Sequence, residues 1–199
     1  MKLTAFIATA FFASATLYGA TLDPGKLVVA ARSQIGVTTE YDPAYRKLNY
    51  PNGDVPKQTG VCADVIVRAF REQKVDLQKE VHEDMKLNFG AYPQKWGLDR
   101  PDANIDHRRV PNLVAYFRRK NYSEPNSEKP EQFAPGDIVA WDLGKGVTHI
   151  GFVSDKKDSR GTPLVIHNIG RGTQEENVLF QFKIIGHYRL PVMQERAAH

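Results

Sequence analysis

Apolar residues recur at helical spacing in several stretches of the first two thirds of the chain. The first stretch begins at Pro24, which the side chain of Asp23 can cap, and ends at Gly36. The next begins at Cys62 and buries one apolar stripe. The predicted helices cover 24–35, 62–73, 77–85 and 111–117.

The pattern changes after Pro135 to short runs rich in β-branched and aromatic residues, separated by glycine or charged turns. The predicted strands cover 138–143, 148–155, 164–168 and 182–190. Helices followed by a run of strands indicate an α+β fold in which N-terminal helices pack on an antiparallel sheet.

The sequence of the extreme N-terminus predicts an export signal. Lys2 supplies a positive charge, and the apolar stretch from Leu3 to Ala15 is too short to span a bilayer comfortably. Cleavage after Ala15 fits the small-x-small pattern of Ala13 and Ala15, whereas cleavage after Ala20 leaves the bulkier Tyr18 at the minus-three position, and we take Ala20. We therefore expect a signal peptide over 1–20 and one domain over 21–199, released to the periplasm or outside the cell.

Composition and charge narrow the possible partners. The formal net charge is only +4, and lysine and arginine alternate with acidic residues along the chain. This distribution is typical of a solvated surface and not of a nucleic-acid groove. No segment after the signal is apolar enough for a membrane anchor, and we expect a monomer that binds no nucleic acid.

Cys62 is the only cysteine in the chain and stands where a loop turns into a helix. An unpaired thiol in an exported protein is either a small packing residue, an intermolecular link or a nucleophile. A helix N-terminus favours the thiolate, so the sequence predicts a lowered thiol pKa.

Two histidines are predicted to meet across a hairpin. The midpoint between His149 and His167 falls in the polar turn 156–161, so a symmetric hairpin sets them opposite each other, roughly 5 Å apart at Cβ, with Asn168 on the other face. A thiol, a histidine and a second polar group form the layout of a cysteine hydrolase. A strand histidine is more often structural, and we give that interpretation to the remaining histidines: His82, His107, His187 and His199.

The order of four motifs resembles that of the NlpC-type cell-wall cysteine peptidases, which are papain-like. The motifs are Gly60-Val61-Cys62-Ala63-Asp64-Val65, Pro135-Gly136-Asp137-Ile138-Val139-Ala140-Trp141, Thr148-His149-Ile150-Gly151-Phe152-Val153 and Val165-Ile166-His167-Asn168. The resemblance implies that Cys62 is the nucleophile, His149 the general base and acid, and His167 the residue that orients it. It also implies a papain-like α+β fold, no cofactor, and a tyrosine beside the active site, which Tyr50 matches in spacing.

The chain departs from that family's pattern at two places. Val61-Cys62-Ala63-Asp64 stands where the family has Asp-Cys-Ser-Gly, and the segment 81–112 is an addition typical of a less studied bacterial family in the same superfamily. That segment is expected to line the substrate cleft. Its arginines could hold a peptide carboxylate, or could form a structural ion-pair cluster with Asp106. The residues assigned to substrate binding are Tyr50, Asp64, Arg108 and Arg109.

The expected function is cleavage of an amide bond in peptidoglycan, either within the stem peptide or between sugar and stem. Three alternatives stay open. The enzyme could act on protein, the cysteine and two histidines could be metal ligands, or the chain could be a non-catalytic wall-binding module.

Overall fold

The structure is a computed structural model that describes residues 22–191, so the predicted signal peptide and His199 lie outside the described residues. Over that range the helices are α1 (Pro24–Arg32), α2 (Cys62–Glu72), α3 (Leu77–Asn88) and α4 (Val110–Arg119). The strands are β1 (Glu40–Tyr41), β2 (Thr59–Gly60), β3 (Ser123–Glu124), β4 (Ile138–Gly144), β5 (Val147–Lys157), β6 (Pro163–Asn168), β7 (Thr173–Glu176) and β8 (Lys183–Tyr188).

The helices begin where the capping residues predict. Asp23 accepts a hydrogen bond from the Lys26 backbone N–H at 3.1 Å at the start of α1, and Asp76 accepts one from Gln78 at the start of α3. The first helix ends at Arg32, which is earlier than the predicted residue 35. Side-chain oxygens at these positions satisfy N–H groups that have no partner within the helix, so the caps specify where each helix starts.

The predicted α+β class with an antiparallel sheet is confirmed. The large sheet has the order β3-β8-β4-β5-β6-β7, and all of its neighbours are antiparallel. β1 and β2 form a separate parallel pair. The four predicted strands correspond to β4, β5, β6 and β8. The prediction missed the two-residue strands β1, β2 and β3, and also β7, whose sequence Thr-Gln-Glu-Glu has no apolar alternation.

The two faces of the sheet carry separate hydrophobic clusters. Ile150, Phe152 and Ile166 face the helices, where Phe70 of α2 stacks on Phe152 at 6.3 Å between ring centroids. The far face is covered by the chain around Leu179 and contains Val139, Trp141, Val153 and Val165. Since side chains alternate along a strand, these clusters identify the face on which every intervening residue lies.

Gly151 is required by the close approach of β5 and β6. A Cβ atom at this position would lie 2.8 Å from Cγ1 of Val165, 3.0 Å from the Ile166 carbonyl oxygen and 3.0 Å from Cβ of His167. Contacts this short force the strand pair to move, as in other overpacked interiors.

We therefore expect Gly151→Ala to lower the free energy of unfolding by about 1–3 kcal/mol. The measurement is urea denaturation of the purified protein. Gly90→Ala is the matched control, because a Cβ there has no neighbour within 4 Å. Equal stability of the two variants would show that the strands are not packed as closely as described.

Candidate active site

Cys62 is the first residue of α2 and is 3 % exposed. Val61 caps the helix in an extended conformation, and its backbone N–H donates to Oδ2 of Asp64 at 2.7 Å. This capping bond sets the angle at which the chain enters the helix. It leaves the amides of the first turn close to the thiol.

Burial raises the pKa of the Cys62 thiol to about 12, and the carboxylate of Asp64 adds to the increase. Backbone N–H groups of Ile150, Ala63 and Cys62 itself act in the opposite direction, because they stabilise a thiolate. The sequence-based prediction of a lowered thiol pKa is therefore wrong. The amides are present as predicted, but desolvation of a nearly enclosed sulfur outweighs them.

The start of α2 lies where β5 and β6 stop pairing. At this end the last paired residues are Phe152 and Ile166. Just beyond them, the backbone N–H of Ile150 in β5 faces the thiol of Cys62, and the side-chain Nδ2 of Asn168 in β6 donates to the carbonyl oxygen of Gly60 at 3.1 Å. Residues 60–62 are thereby held against this end of the strand pair.

The predicted meeting of His149 and His167 is confirmed. Nε2 of His149 lies 2.8 Å from Nδ1 of His167, and both residues are at most 2 % exposed. The register is not the symmetric one, because Phe152 pairs with Ile166 and the histidines are therefore diagonal neighbours. Long side chains reach across such a diagonal. Asn168 lies on the other face, as predicted.

The imidazole of His149 is held neutral and in a fixed orientation. Burial, followed by the neighbouring His167, lowers its pKa to about 3. The indole of Trp141 stacks on it at 5.7 Å between ring centroids, and the indole Nε1 donates to the Leu179 carbonyl oxygen at 2.9 Å. A neutral, packed imidazole can accept a proton without first losing one.

Cys62 and the histidine pair approach the same part of β5 from different directions. The histidines share the far face of the sheet with Trp141, whereas Cys62 belongs to the cluster between the helices and the sheet. Among the described residues, neither a bond between Cys62 and His149 nor any partner for Nδ1 of His149 is present. The thiol therefore lies beside Ile150, the residue after His149, and is not hydrogen bonded to the imidazole.

Cys62 is one of the residues that line an open groove of about 500 Å³. The segment 81–112 lines it together with the loop before β5. The lining residues are Tyr41, Pro43, Tyr45, Val61, Cys62, Lys95, Trp96, Ile105, Arg108, Arg109, Val110, Pro111, Gly146 and Thr148. Aromatic faces beside cationic groups suit a substrate that combines sugar or peptide surface with carboxylates.

Tyr50 does not lie in this groove. Its hydroxyl donates to Oε1 of Glu83 at 2.8 Å, and its ring packs edge-on against His82, so the structure does not bring Tyr50 to the groove beside Cys62. Tyr41 is the tyrosine beside the thiol, and burial together with Cys62 raises its pKa to about 12. The signal that could have found it is the extended pair 40–41, which aligns with Gly60.

Asp64 and Arg108 form a buried ion pair. The guanidinium donates to both carboxylate oxygens of Asp64, with Nε–Oδ1 and NH2–Oδ2 distances of 2.9 Å, and also to the carbonyl oxygens of Asp42 and Ala44. All of the Arg108 nitrogens are engaged. The pair fastens the segment after β1 to α2, and the assignment of both residues to substrate binding stays a prediction.

Arg109 lines the groove and has a mixed role. NH1 bonds to Oδ1 of Asp106 at 3.1 Å, and the guanidinium carbon stacks over Trp96 at 4.1 Å from the ring centroid. The predicted ion pair with Asp106 is confirmed for this arginine. Its side chain remains 17 % exposed, so a substrate carboxylate can still reach it.

Metal-binding clusters and membrane-spanning helices are both absent from the described residues. Within residues 22–191, groups of three or more histidine, cysteine, aspartate or glutamate side chains that could hold a metal ion are absent. In the same part of the chain, the helices are too short or too polar to cross a membrane.

Comparison with known proteins defines the family. Residues 28–190 match the model of a family described as "Domain of unknown function (DUF1287)". The chain belongs to this family. It is 62% identical over 159 residues to "Uncharacterized protein YijF" of Escherichia coli (strain K12), a match that covers 80% of this chain and 78% of the relative. No solved structure matches the chain.

This match corrects the resemblance stated from the motifs. The family is DUF1287, and the comparisons give no indication of NlpC-type membership. The motifs behind the resemblance are short, and a glycine-aspartate strand start or a histidine before a packed glycine can arise wherever a helix packs on a hairpin of this kind. The residues themselves must therefore carry the functional argument.

The raised thiol pKa predicts a particular pH dependence of alkylation. With a pKa of about 12, the thiolate fraction and the rate with iodoacetamide should rise about tenfold per pH unit between about pH 7 and 10. Glutathione, the control, should level off near its own thiol pKa. The rate is measured by intact mass, since Cys62 is the single cysteine. A plateau below about pH 8 would instead indicate a stable thiolate.

Proposed function

We propose that the chain is an exported cysteine hydrolase, with a papain-like arrangement, that cleaves an amide bond in peptidoglycan. In this proposal Cys62 is the nucleophile, His149 the base and acid, and His167 the residue that orients His149. The observation that carries the proposal is the position of Cys62, at a helix start, in the lining of an open groove and beside the backbone N–H of Ile150, the residue that follows His149.

The chemistry starts from a neutral pair. Because burial keeps the thiol protonated and the imidazole uncharged, the proton must move from sulfur to Nδ1 of His149 as sulfur attacks the carbonyl carbon. Backbone N–H groups at the start of α2 can stabilise the oxygen that becomes negative. Catalytic hydrogen bonds are often long before substrate binds, so the absence of a thiol–imidazole bond is compatible with this step.

In the remaining steps, His149 passes one proton to the leaving amine and takes another from water. The C–N bond breaks as His149 returns its proton to the leaving amine, which gives a thioester on Cys62. A water molecule then gives a proton to His149 while its oxygen attacks the thioester. The tetrahedral intermediate expels sulfur, which takes the proton back, and the carboxylic acid product leaves.

The choice of peptidoglycan follows from the groove and the predicted export. Tyr41, Tyr45 and Trp96 present aromatic surface at 39%, 60% and 37% exposure, and Lys95 and Arg109 add positive charge. Sugars pack on aromatic faces, and stem peptides carry carboxylates that pair with such cations. An enzyme exported to the periplasm would meet this polymer.

A non-catalytic wall-binding module is the second candidate. The enclosed thiol with its raised pKa favours this candidate, because a structural cysteine has the same properties. Both candidates predict binding to peptidoglycan, so only turnover separates them.

The test is digestion of purified peptidoglycan with the protein lacking residues 1–20, followed by mass spectrometry of the soluble fragments. We expect new amide-cleaved fragments, and a loss of about 10²-fold or more in rate for Cys62→Ala and His149→Ala. His82→Ala is the control and should cleave normally, because His82 packs against Tyr50 outside the groove.

Variants are compared at matched thermal stability. Binding to peptidoglycan without fragment release by the wild type would favour the binding module. Release that persists in Cys62→Ala would overturn the assignment of the nucleophile.

A further inference from the structure

Glu176 stands behind the histidine pair, on the side away from Cys62. In β7 it pairs with Val165, and its neighbour on the same face, Gln174, pairs with His167. Glu176 therefore shares the far face of the sheet with His167. Its Oε2 lies 3.3 Å from Nε2 of His167, whose side chain is fully buried.

We infer that Glu176 is a positioning residue that selects the tautomer of both histidines. Nε2 of His167 is buried and has no well-aligned hydrogen bond, and the Glu176 carboxylate lies 3.3 Å from it. A buried ring nitrogen requires a partner. An ionised carboxylate can only accept, so the proton of neutral His167 belongs on Nε2.

The position of the proton on His167 determines the position of the proton on His149. A neutral imidazole has a single N–H, so His167 with a proton on Nε2 has a lone pair on Nδ1. The 2.8 Å contact to Nε2 of His149 is then a hydrogen bond that His149 donates. His149 must in turn have its lone pair on Nδ1. This is the nitrogen that has no partner among the described residues.

This assignment of protons requires a neutral His167, and the burial of its side chain favours that state. Burial lowers the pKa of His167, and the Glu176 carboxylate opposes that decrease. Arg171, which is mostly exposed, contacts Oε1 of Glu176 and leaves Oε2 to the imidazole. The hydrogen-bonded series Glu176–His167–His149 therefore ends in a hydrogen-bond acceptor, Nδ1 of His149, and not in a donor.

The catalytic meaning of this order rests on the proposed function. A hydrolase needs the lone pair of His149 at Nδ1 to take the thiol proton, and the wrong tautomer of a catalytic histidine is known to be costly in other hydrolases. The tautomers themselves can be measured whether or not the protein is an enzyme.

The test is ¹⁵N NMR of the imidazole nitrogens at about pH 7 in the wild type, in Glu176→Ala and in Glu131→Gln. We expect both His149 and His167 of the wild type to carry their proton on Nε2. Glu176→Ala should give a mixture of tautomers in both rings. Glu131→Gln, a change at an exposed glutamate far along the chain, should match the wild type.

Two results would overturn the inference. One is a proton on Nδ1 of His149 in the wild type, which needs no variant to be folded. The other is unchanged tautomers in a folded Glu176→Ala protein. If the protein also cleaves peptidoglycan, Glu176→Ala should lower kcat at least about tenfold with KM nearly unchanged. Absence of cleavage in the wild type would count against the proposed hydrolase and leave the NMR result standing.

Discussion

The site depends on how residues 60–62 pack against β5 and β6, next to the end of their paired region at Phe152 and Ile166. Buried polar groups at such a junction need partners. The Gly60 carbonyl oxygen accepts a hydrogen bond from the side-chain Nδ2 of Asn168 at 3.1 Å, and the backbone N–H of Ile150 faces the Cys62 sulfur. The contacts that hold residues 60–62 against the sheet therefore bring a thiol to the strand that carries His149.

Enclosure by the sheet determines the protonation state of the site. Because both Cys62 and His149 are desolvated, each is uncharged at neutral pH, and their pKa values are displaced in opposite directions. A thiolate–imidazolium pair would need two buried charges, which desolvation opposes. In the proposed hydrolase, the thiol proton is therefore transferred during attack, to a nitrogen of His149 that His167 and Glu176 fix in advance as an acceptor.

Local sequence signals predicted the helices and most of the long strands. Features that depend on contacts between distant residues could not be predicted. Helix caps such as Asp23 and the period-two strands are local properties, so the helices, four strands and the His149–His167 contact were predictable. The buried pair of Asp64 and Arg108 joins positions far apart in the chain, and β7 has a polar sequence that becomes a strand only beside β6. Burial of Cys62 likewise depends on the whole fold, which is why its predicted pKa had the wrong direction.

A covalent intermediate on Cys62 is the central claim of the proposed function. Peptidoglycan fragments are mixed with the protein, the reaction is stopped with acid within the first turnover, and the intact protein and its Cys62 peptide are analysed by mass spectrometry. We expect a mass increase equal to the acyl part of the substrate, located on Cys62 and absent from Cys62→Ala. Amide cleavage by the wild type that continues at the same rate in Cys62→Ala would contradict it.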